Sequence, residues 1–295
     1  METALKICKR LHSYLYAGQF HGKVTGVYDK RLDMETPFGL IAVVQRECLK
    51  PFSCLVGSLK PFTALGIRPG MDVLLDKNGL DIPQTELVVD VTMAEDVDLS
   101  MDAMTNLFLP MDLNMRLRHV RRAIEQGAGS EDLSLLALSP REAGPLAPLR
   151  TQLKALSDGL EEGDMYAACT AAAAAAGFGS GSVPASDILL SGYMAAYTAL
   201  SFALGRSLHR VREITRQLAA AAAQNTNENG TAALLQAGEG LVDEDRFQLL
   251  RSLFSDTAYT TLSGCAMRIA GAESGVNFLT GICVGIAGQY LMKTI

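Results

Sequence analysis

The feature that most constrains the fold of this chain is a change of hydrophobic pattern near Met111. Before this point, short runs rich in Val, Ile, Phe and Leu are separated by Gly, Pro, Asp and Asn. After it, apolar residues recur at three- and four-residue spacing over long segments. The first pattern is typical of strands and the second of helices. We therefore predict an α+β fold, with a β-rich N-terminal domain over residues 1–108 and an all-helical C-terminal domain over residues 109–295.

The same runs predict the individual elements. A helix is predicted over residues 1–16, ahead of a small sheet or barrel. The strands of this sheet or barrel are predicted at residues 23–28, 40–44, 54–56, 72–75 and 87–91. The helices predicted for the C-terminal domain cover residues 113–126, 146–158, 161–176, 187–204, 207–224, 231–238, 244–255, 257–270 and 276–291.

The charge balance argues against a nucleic-acid partner. The formal net charge is −6 at pH 7, and binding to a phosphate backbone needs a large basic surface. The densest basic group consists of Arg116, Arg118, Arg121 and Arg122. We expect these arginines on the solvated face of the helix predicted over residues 113–126, and we expect no nucleic acid to bind.

Metal sites and membrane segments are not expected either. The four histidines and six cysteines lack the close spacing of metal ligands. No apolar stretch reaches the roughly 20 residues that a membrane-spanning helix needs. The chain also begins without a signal-peptide pattern. These features predict a cytoplasmic protein with free thiols, without a metal or a membrane partner.

Residues 177–187, which we call the glycine-rich turn, form the segment most suggestive of a ligand site. Three glycines within five residues precede Pro184 and Asp187, and a predicted helix follows. Glycine permits left-handed backbone, and a helix start offers N–H groups and a positive dipole end. A phosphate or carboxylate group is therefore predicted to bind at Gly179, Ser180, Gly181 and Ser182. The alternative is that the glycines only allow close helix packing and that Asp187 caps its own helix.

Two further polar segments lie between predicted helices: the asparagine-rich turn (residues 225–231) and the late turn (residues 271–277). The three turns are predicted to converge on one pocket at helix ends. Asp187 and Glu228 are predicted to act as acid or base because they lie in these turns. The other residues predicted to bind the substrate are Asn227, Ser274, Gly275 and Asn277. The alternative is that each turn is an ordinary connection between helices.

Several common catalytic and nucleotide-binding motifs are missing. In a G-x-G-x-x-G pattern that starts at Gly177, the sixth position is Ser182, and a predicted helix precedes the turn where a strand is needed. The chain contains neither a G-x-x-x-x-G-K-[ST] loop nor a G-x-S-x-G elbow. These absences argue against a dinucleotide site, a P-loop and an α/β-hydrolase nucleophile.

At its three polar turns the chain resembles a bacterial family whose best-known member is the AllH-type subunit of oxamate carbamoyltransferase. The family patterns are G-x-G-x-G-L-T-P-x-x-D-D-x-L-x-G, T-N-E-x-S leading to L-R-x-A-x-x-G, and G-H-x-S-G-A-D-x-L-x-G. They align with residues 177–192, 226–240 and 271–281, in the same order. The matching residues are Gly177, Gly179, Gly181, Pro184, Asp187, Leu190, Gly192, Thr226, Asn227, Glu228, Gly271, Ser274, Gly275, Leu279 and Gly281.

The chain departs from this family pattern at several polar positions. Ile188 replaces the second aspartate of the D-D pair, Leu235 the arginine of the second pattern, and Ala272 the histidine of the third. Val183 and Asn277 also stand where Thr and Asp are expected. The replaced groups could bind a carboxylate or move a proton. The departures therefore suggest altered specificity or a loss of catalysis.

The resemblance implies a subunit of an oxamate carbamoyltransferase-like complex, which transfers a carbamoyl group between carbamoyl phosphate and a small acid in purine or allantoin nitrogen catabolism. Its partners would be a small anionic substrate and the other subunits of a hetero-oligomer, and the transfer would need no cofactor. The first alternative is a subunit that binds a small anion or supports assembly without catalysis. The second is an independent enzyme that acts on an unrelated small acid.

Overall fold

The computed structural model describes residues 2–45, 48–57, 60–129, 133–139 and 144–290. It divides into two compact units, Met1–Leu99 and Ser100–Ile295. The first unit is built mainly from strands and the second from helices. This arrangement confirms the predicted α+β fold class.

The first unit is a β-barrel. Within the described ranges its strands are β1 (Glu2–Cys8), β2 (Phe20–Val27), β3 (Arg31–Thr36), β4 (Gly39–Gln45), β5 (Ser53–Val56), β6 (Asp72–Asp76), β7 (Gly79–Asp81), β8 (Val88–Asp90) and β9 (Glu95–Val97). Eight of these described strands pair in the order β5-β4-β3-β2-β6-β7-β8-β1, and β1 also pairs with β5, which closes the barrel. The short β9 runs parallel to β1 beside β8.

Alternation of side chains along the strands fills the barrel interior. In β6, Val73 and Leu75 are buried whereas Asp72 and Leu74 are exposed, because successive side chains of a strand point to opposite faces. The helix α1 (Lys9–Ala17) buries Leu11 and adds it to the same apolar core. The sequence predicted either a small sheet or a barrel, and the structure shows the barrel.

The predicted helix over residues 1–16 is wrong in its first half. Residues Glu2–Cys8 form β1, and the helix α1 begins only at Lys9. The strand β1 bonds to β5 antiparallel and to β8 and β9 in parallel. Because β1 closes the barrel, its pairing with these strands outweighs the local preference of the segment.

The second unit is helical, as predicted. In the described part of the chain its α-helices are α2 (Leu113–Gly127), α3 (Leu135–Leu138), α4 (Ala147–Glu162), α5 (Met165–Ala175), α6 (Ala185–Ala203), α7 (Leu208–Ala222), α8 (Glu228–Gly238), α9 (Glu244–Leu253), α10 (Tyr259–Ala270) and α11 (Gly275–Gln289). The nine predicted helices all occur, and their observed ends differ by a few residues. None of the helices that the structure describes combines the length and apolarity needed to cross a bilayer.

The long helices α6 and α11 form the centre of this unit. A Cβ atom added at Gly281 would lie 1.9 Å from the carbonyl oxygen of Leu189, and one at Gly285 would lie 3.1 Å from that of Tyr193. Four residues along α11 therefore correspond to four residues along α6, so the two helices run parallel. Because they are parallel, they begin at the same end of the pair.

Two local expectations for this unit are wrong. Arg116 is buried, although it was expected on a solvated face, and its Nη1 donates to the carbonyl oxygens of Ser252 at 2.9 Å and Thr257 at 3.0 Å. Glu161 and Glu162 end α4 and do not begin a new helix. The left-handed Gly163 stops α4, and Asp164 caps α5 by accepting from the backbone N–H of Ala167 at 2.9 Å.

Candidate functional site

The buried carboxylate of Asp187 joins the glycine-rich turn to the asparagine-rich turn. Asp187 lies in the first turn of α6 and is fully buried. Its Oδ1 accepts a hydrogen bond from the backbone N–H of Gly177 at 2.8 Å. Its Oδ2 accepts a hydrogen bond from the hydroxyl of Thr226. One side chain therefore links the start of α6 with both turns.

Burial also changes the acidity of this carboxyl group. The pKa of Asp187 is raised above its usual value, mainly because burial penalises the charged form. Hydrogen bonds from Thr226, Gly177 and Ser186 lower the pKa and offset part of this effect. The protein therefore holds Asp187 as a more weakly acidic group than an exposed aspartate.

Two more hydrogen bonds connect the same segments. Asn227 caps α8, because its Oδ1 accepts from the backbone N–H of Gly230 at 2.8 Å. Its Nδ2 donates to the carbonyl oxygen of Ser182 at 3.1 Å. Within the glycine-rich turn, the N–H of Phe178 donates to Oγ of Ser186 at 2.8 Å. The first two predicted turns therefore meet, and their backbone conformations depend on each other.

Glycine is required where these turns approach each other most closely. Gly177 has a φ of +77°, and a Cβ atom there would lie 2.3 Å from the carbonyl oxygen of Asn225. A Cβ atom at Gly230 would lie 2.2 Å from Oδ2 of Asp187. Any larger side chain at either position would separate the two turns.

The outer part of the glycine-rich turn presents backbone donors to solvent. Residues Gly179, Ser180, Gly181 and Ser182 are all exposed. In the parts of the chain that the structure describes, no acceptor pairs with the N–H groups of Gly179, Gly181 or Ser182. Gly179 and Gly181 also have positive φ values of +100° and +111°. Exposed, unpaired N–H groups near a helix start are the groups that bind phosphate or carboxylate in other proteins.

The late turn is not bonded to the other two turns by any hydrogen bond among the described residues. Ser274 is left-handed with a φ of +60°, and Gly275 packs against the carbonyl oxygen of Ile269. Asn277 is buried, and its Oδ1 accepts from the backbone N–H of Leu133 at 2.9 Å. Because α6 and α11 are parallel, this turn begins its helix at the same end of the pair as the glycine-rich turn.

Glu228 and the residues that depart from the family pattern differ in how exposed they are. Glu228 is exposed in the first turn of α8, and no hydrogen bond or ion pair to it occurs within the described ranges. Ile188 is buried in the core, whereas Leu235 is 46% exposed on α8. Ala272 is exposed in the late turn. An apolar side chain therefore lies on the surface where the family pattern has an arginine.

Two residues of this site, Thr226 and Ser186, were not predicted from the sequence. Thr226 was only a motif match, and Ser186 was given no role in binding. Both donate or accept hydrogen bonds that fix the glycine-rich turn. The available signal was the position of Thr226 directly before Asn227 and Glu228. Among the described residues, no three His, Cys, Asp or Glu side chains are grouped closely enough to hold a metal ion.

Comparisons with known proteins place both units in one family. A protein-family model described as oxamate carbamoyltransferase subunit AllH matches residues 175–286, which include the three turns. A second, described as the AllH family N-terminal domain, matches residues 3–96, which form the barrel. Searches of curated proteins and of solved structures found no match. The two family matches cover most of the chain, which therefore belongs to the AllH family.

Proposed function

We propose that the chain is a subunit of an oxamate carbamoyltransferase complex and that its glycine-rich turn binds an anionic group of the substrate. The complex would transfer a carbamoyl group between carbamoyl phosphate and a small acid in purine or allantoin nitrogen catabolism. The observation that carries this proposal is the pair of hydrogen bonds that the carboxylate of Asp187 accepts from Gly177 and Thr226. It holds two turns together beside a set of exposed backbone donors.

The chemistry requires charge stabilisation more than a cofactor. The amide nitrogen of the small acid attacks the carbonyl carbon of carbamoyl phosphate, a C–N bond forms, and the C–O bond to phosphate breaks. Phosphate leaves with the electron pair, and the attacking nitrogen loses one proton. Donors positioned for the phosphate oxygens lower the energy of this step. The unpaired N–H groups of Gly179, Gly181 and Ser182 are suited to that role.

The two predicted acids receive different roles in this proposal. Asp187 is a positioning residue, because both of its carboxylate oxygens already accept hydrogen bonds from the protein. Glu228 is exposed and lies next to Asn227, so we assign to it the removal of the proton from the attacking nitrogen. Ser180, Ser274 and Asn227 are proposed to bind the rest of the substrate. Gly275 and Asn277, which were also predicted to bind it, are buried, so in this proposal they only support the late turn.

The proposal is tested with the chain co-expressed with the other subunits of the complex. Phosphate release from carbamoyl phosphate is measured with oxamate and with other small acids. Gly181→Ala is expected to raise the KM for carbamoyl phosphate because alanine is strained at a φ of +111°. Glu228→Gln is expected to lower kcat by about 10²-fold or more, the usual contribution of a general base.

The matched control is Gly264→Ala, since Gly264 lies inside α10 and a Cβ atom there meets nothing closer than 3.8 Å. This variant is expected to keep the KM and kcat of the unmodified subunit. Inactivity of the assembled complex with every small acid tried would contradict the proposal. If Gly181→Ala and Gly264→Ala had the same KM and kcat, the glycine-rich turn would not be the anion-binding site.

A second function, binding or assembly without catalysis, is favoured by two observations. The carboxylate of Asp187 is enclosed by its protein partners, and Ala272 and Leu235 provide no polar group at their family positions. A thermal-shift series with phosphate, carbamoyl phosphate and dicarboxylates separates the two functions. A ligand that binds the folded chain raises its melting temperature, and a shift without turnover by the assembled complex would support the non-catalytic role.

A further inference from the structure

Two helices of the helical unit, α2 and α10, carry an exposed face that the proposed anion site does not use. Met115, Arg118 and Arg122 are exposed on α2 and follow one another at three- and four-residue spacing, so they lie on one side of that helix. Tyr259 and Met267 are exposed on α10. We call these five residues the arginine–methionine face.

Side-chain contacts join the two helices beside this face. The ring of His119 stacks on that of Tyr259 with 5.1 Å between the centroids, and its Nδ1 lies 2.8 Å from Oγ of Ser263. Farther along, a Cβ atom added at Gly127 of α2 would lie 2.9 Å from Cβ of Ala270 of α10. The two helices therefore run side by side in the same direction, and their exposed side chains form one surface.

Tyr259 is held in one position although it is exposed. Its hydroxyl donates to the carboxylate of Asp112, and the guanidinium carbon of Arg116 lies 5.4 Å from the centroid of its ring. A side chain that is fixed before binding loses little conformational entropy when a partner covers it. Tyrosine and arginine are also enriched among the residues that contribute most to protein–protein affinity. Tyr259 is therefore suited to anchor a protein partner.

Further apolar side chains are exposed just before α2. Met111 is fully exposed, and Phe108 is 39% exposed. Methionine, aromatic residues and arginine are enriched in protein–protein interfaces, and the flexible methionine side chain adapts to the surface that it meets. This composition favours a protein as the occupant of the face.

The charges of α2 and α10 indicate which kind of protein surface fits. In a chain of net charge −6, these two helices contain five arginines and one carboxylate, that of Glu125. Two of the arginines pair with aspartates. Arg118 and Arg122 are exposed, and neither forms an ion pair within the described ranges. A second copy bound through the same face would bring these arginines together, which like-charge repulsion opposes. An acidic surface of a different protein is complementary.

We propose that the arginine–methionine face binds another subunit of the complex and that this subunit presents carboxylates around an apolar centre. The carboxylates pair with Arg118 and Arg122. The apolar centre covers Met115, Tyr259 and Met267. The inference rests on the proposed function for the existence of the complex, but it does not depend on the carbamoyl transfer.

Assembly of the complex tests this inference without an activity assay. The full-length chain is co-expressed with the other subunits, and sedimentation velocity across a dilution series gives the Kd of assembly. Arg118→Glu and Arg122→Glu are each expected to raise the Kd at least about tenfold, because each places a carboxylate opposite the acidic partner. Met115→Ser is expected to raise it about tenfold, since a large apolar side chain is no longer buried on binding.

The matched control is Arg210→Glu, which makes the same charge change at an exposed arginine of α7 outside the face. It is expected to leave the Kd unchanged. All four changes are at exposed positions, so the melting temperature of the free chain is expected to stay the same. Higher salt is expected to weaken assembly of the unmodified chain more than that of Arg122→Glu.

The possible outcomes separate this inference from the proposed function. A complex that assembles through the face but transfers no carbamoyl group would contradict only the proposed function. An active complex in which Arg118→Glu and Arg122→Glu assemble as well as Arg210→Glu would overturn only this inference. It would also be overturned if the chain alone self-associated and Arg122→Glu abolished that self-association, because a second copy would then occupy the face. Failure of the unmodified chain to assemble with the other subunits would overturn both.

Discussion

Thr226 donates a hydrogen bond to the buried carboxylate of Asp187, although the two residues are 39 positions apart in the sequence. The other oxygen of the same carboxylate accepts the backbone N–H of Gly177 at 2.8 Å. The polar segments before α6 and before α8 are therefore fixed relative to each other by one side chain. The binding properties of the glycine-rich turn consequently depend on a residue that lies in a different turn.

Thr226→Val tests the contribution of this link to stability. The variant keeps the shape of the side chain but removes the donor, so one oxygen of a buried carboxylate loses its hydrogen bond. We expect the free energy of unfolding to fall by about 1–3 kcal/mol. The control is Thr170→Val, because the Thr170 hydroxyl is exposed and bonds only within α5, to the carbonyl of Tyr166. Urea titrations in which both variants lose the same free energy would contradict the structural role of Thr226.

The raised pKa of Asp187 predicts a specific pH dependence. The folded chain binds this proton more tightly than the unfolded chain, because burial raises the pKa in the folded state. The stability contributed by Asp187 is therefore greatest at low pH. It falls as the pH rises from the ordinary aspartate pKa through the raised pKa of the folded state.

Asp187→Asn isolates this effect because asparagine does not titrate. Relative to the variant, the unmodified chain is expected to lose stability with rising pH across the acidic interval just described. Above that interval the difference between the two proteins is expected to stay constant. Melting temperatures of both proteins in parallel from acidic to neutral pH provide the measurement, and a difference that does not change with pH would contradict the assignment.

The helical unit was predictable from sequence because its helices carry local signals. Apolar spacing located α2 and α9, and Asp243 caps α9 at the predicted start of that helix. The strand β1 was not predictable in this way. Its residues 2–8 also suit a helix, and only pairing with distant strands determines their conformation. Barrel closure depends on pairing between strands that are distant in the sequence, so a short window of sequence does not predict it.

The site was predictable as a set of turns but not as a network. Glycine spacing identified the glycine-rich turn, and the structure joins it to the asparagine-rich turn through Thr226. The distance between such segments is set by how α6 and α8 pack, which the sequence does not give directly. The same is true of Asn277. Its Oδ1 accepts a hydrogen bond from the backbone N–H of Leu133, a contact between distant segments that no sequence pattern indicated.

The ion pair of Arg212 with Asp102 gives a second stability prediction. Arg212 is buried, and its guanidinium also donates to the carbonyl oxygen of Gly238 at 3.3 Å. Asp102→Asn leaves a buried cation without its counter-charge. We expect a loss of about 1–3 kcal/mol, below the range for fully buried pairs because Asp102 is 39% exposed.

The control for this ion pair lies on the same helix. Arg216 pairs with Glu239 on the surface at 2.8 Å, and its side chain is 56% exposed. Glu239→Gln is expected to cost no more than about 1 kcal/mol, as is usual for exposed pairs. Raising the salt concentration is expected to reduce the effect of Glu239→Gln more than that of Asp102→Asn. Similar losses in chemical denaturation for both variants would contradict the burial argument.

The close contact of α6 with α11 gives the last prediction. A Cβ atom at Gly281 would lie 1.9 Å from the carbonyl oxygen of Leu189, so Gly281→Ala forces the two central helices apart. We expect it to lower the free energy of unfolding by about 3 kcal/mol, the upper end for overpacked cores. Gly264→Ala is expected to add about 0.5–1 kcal/mol, because Gly264 lies in α10 with space for a methyl group. Thermal unfolding in which Gly281→Ala melts at or above Gly264→Ala would show that the helices are not packed this closely.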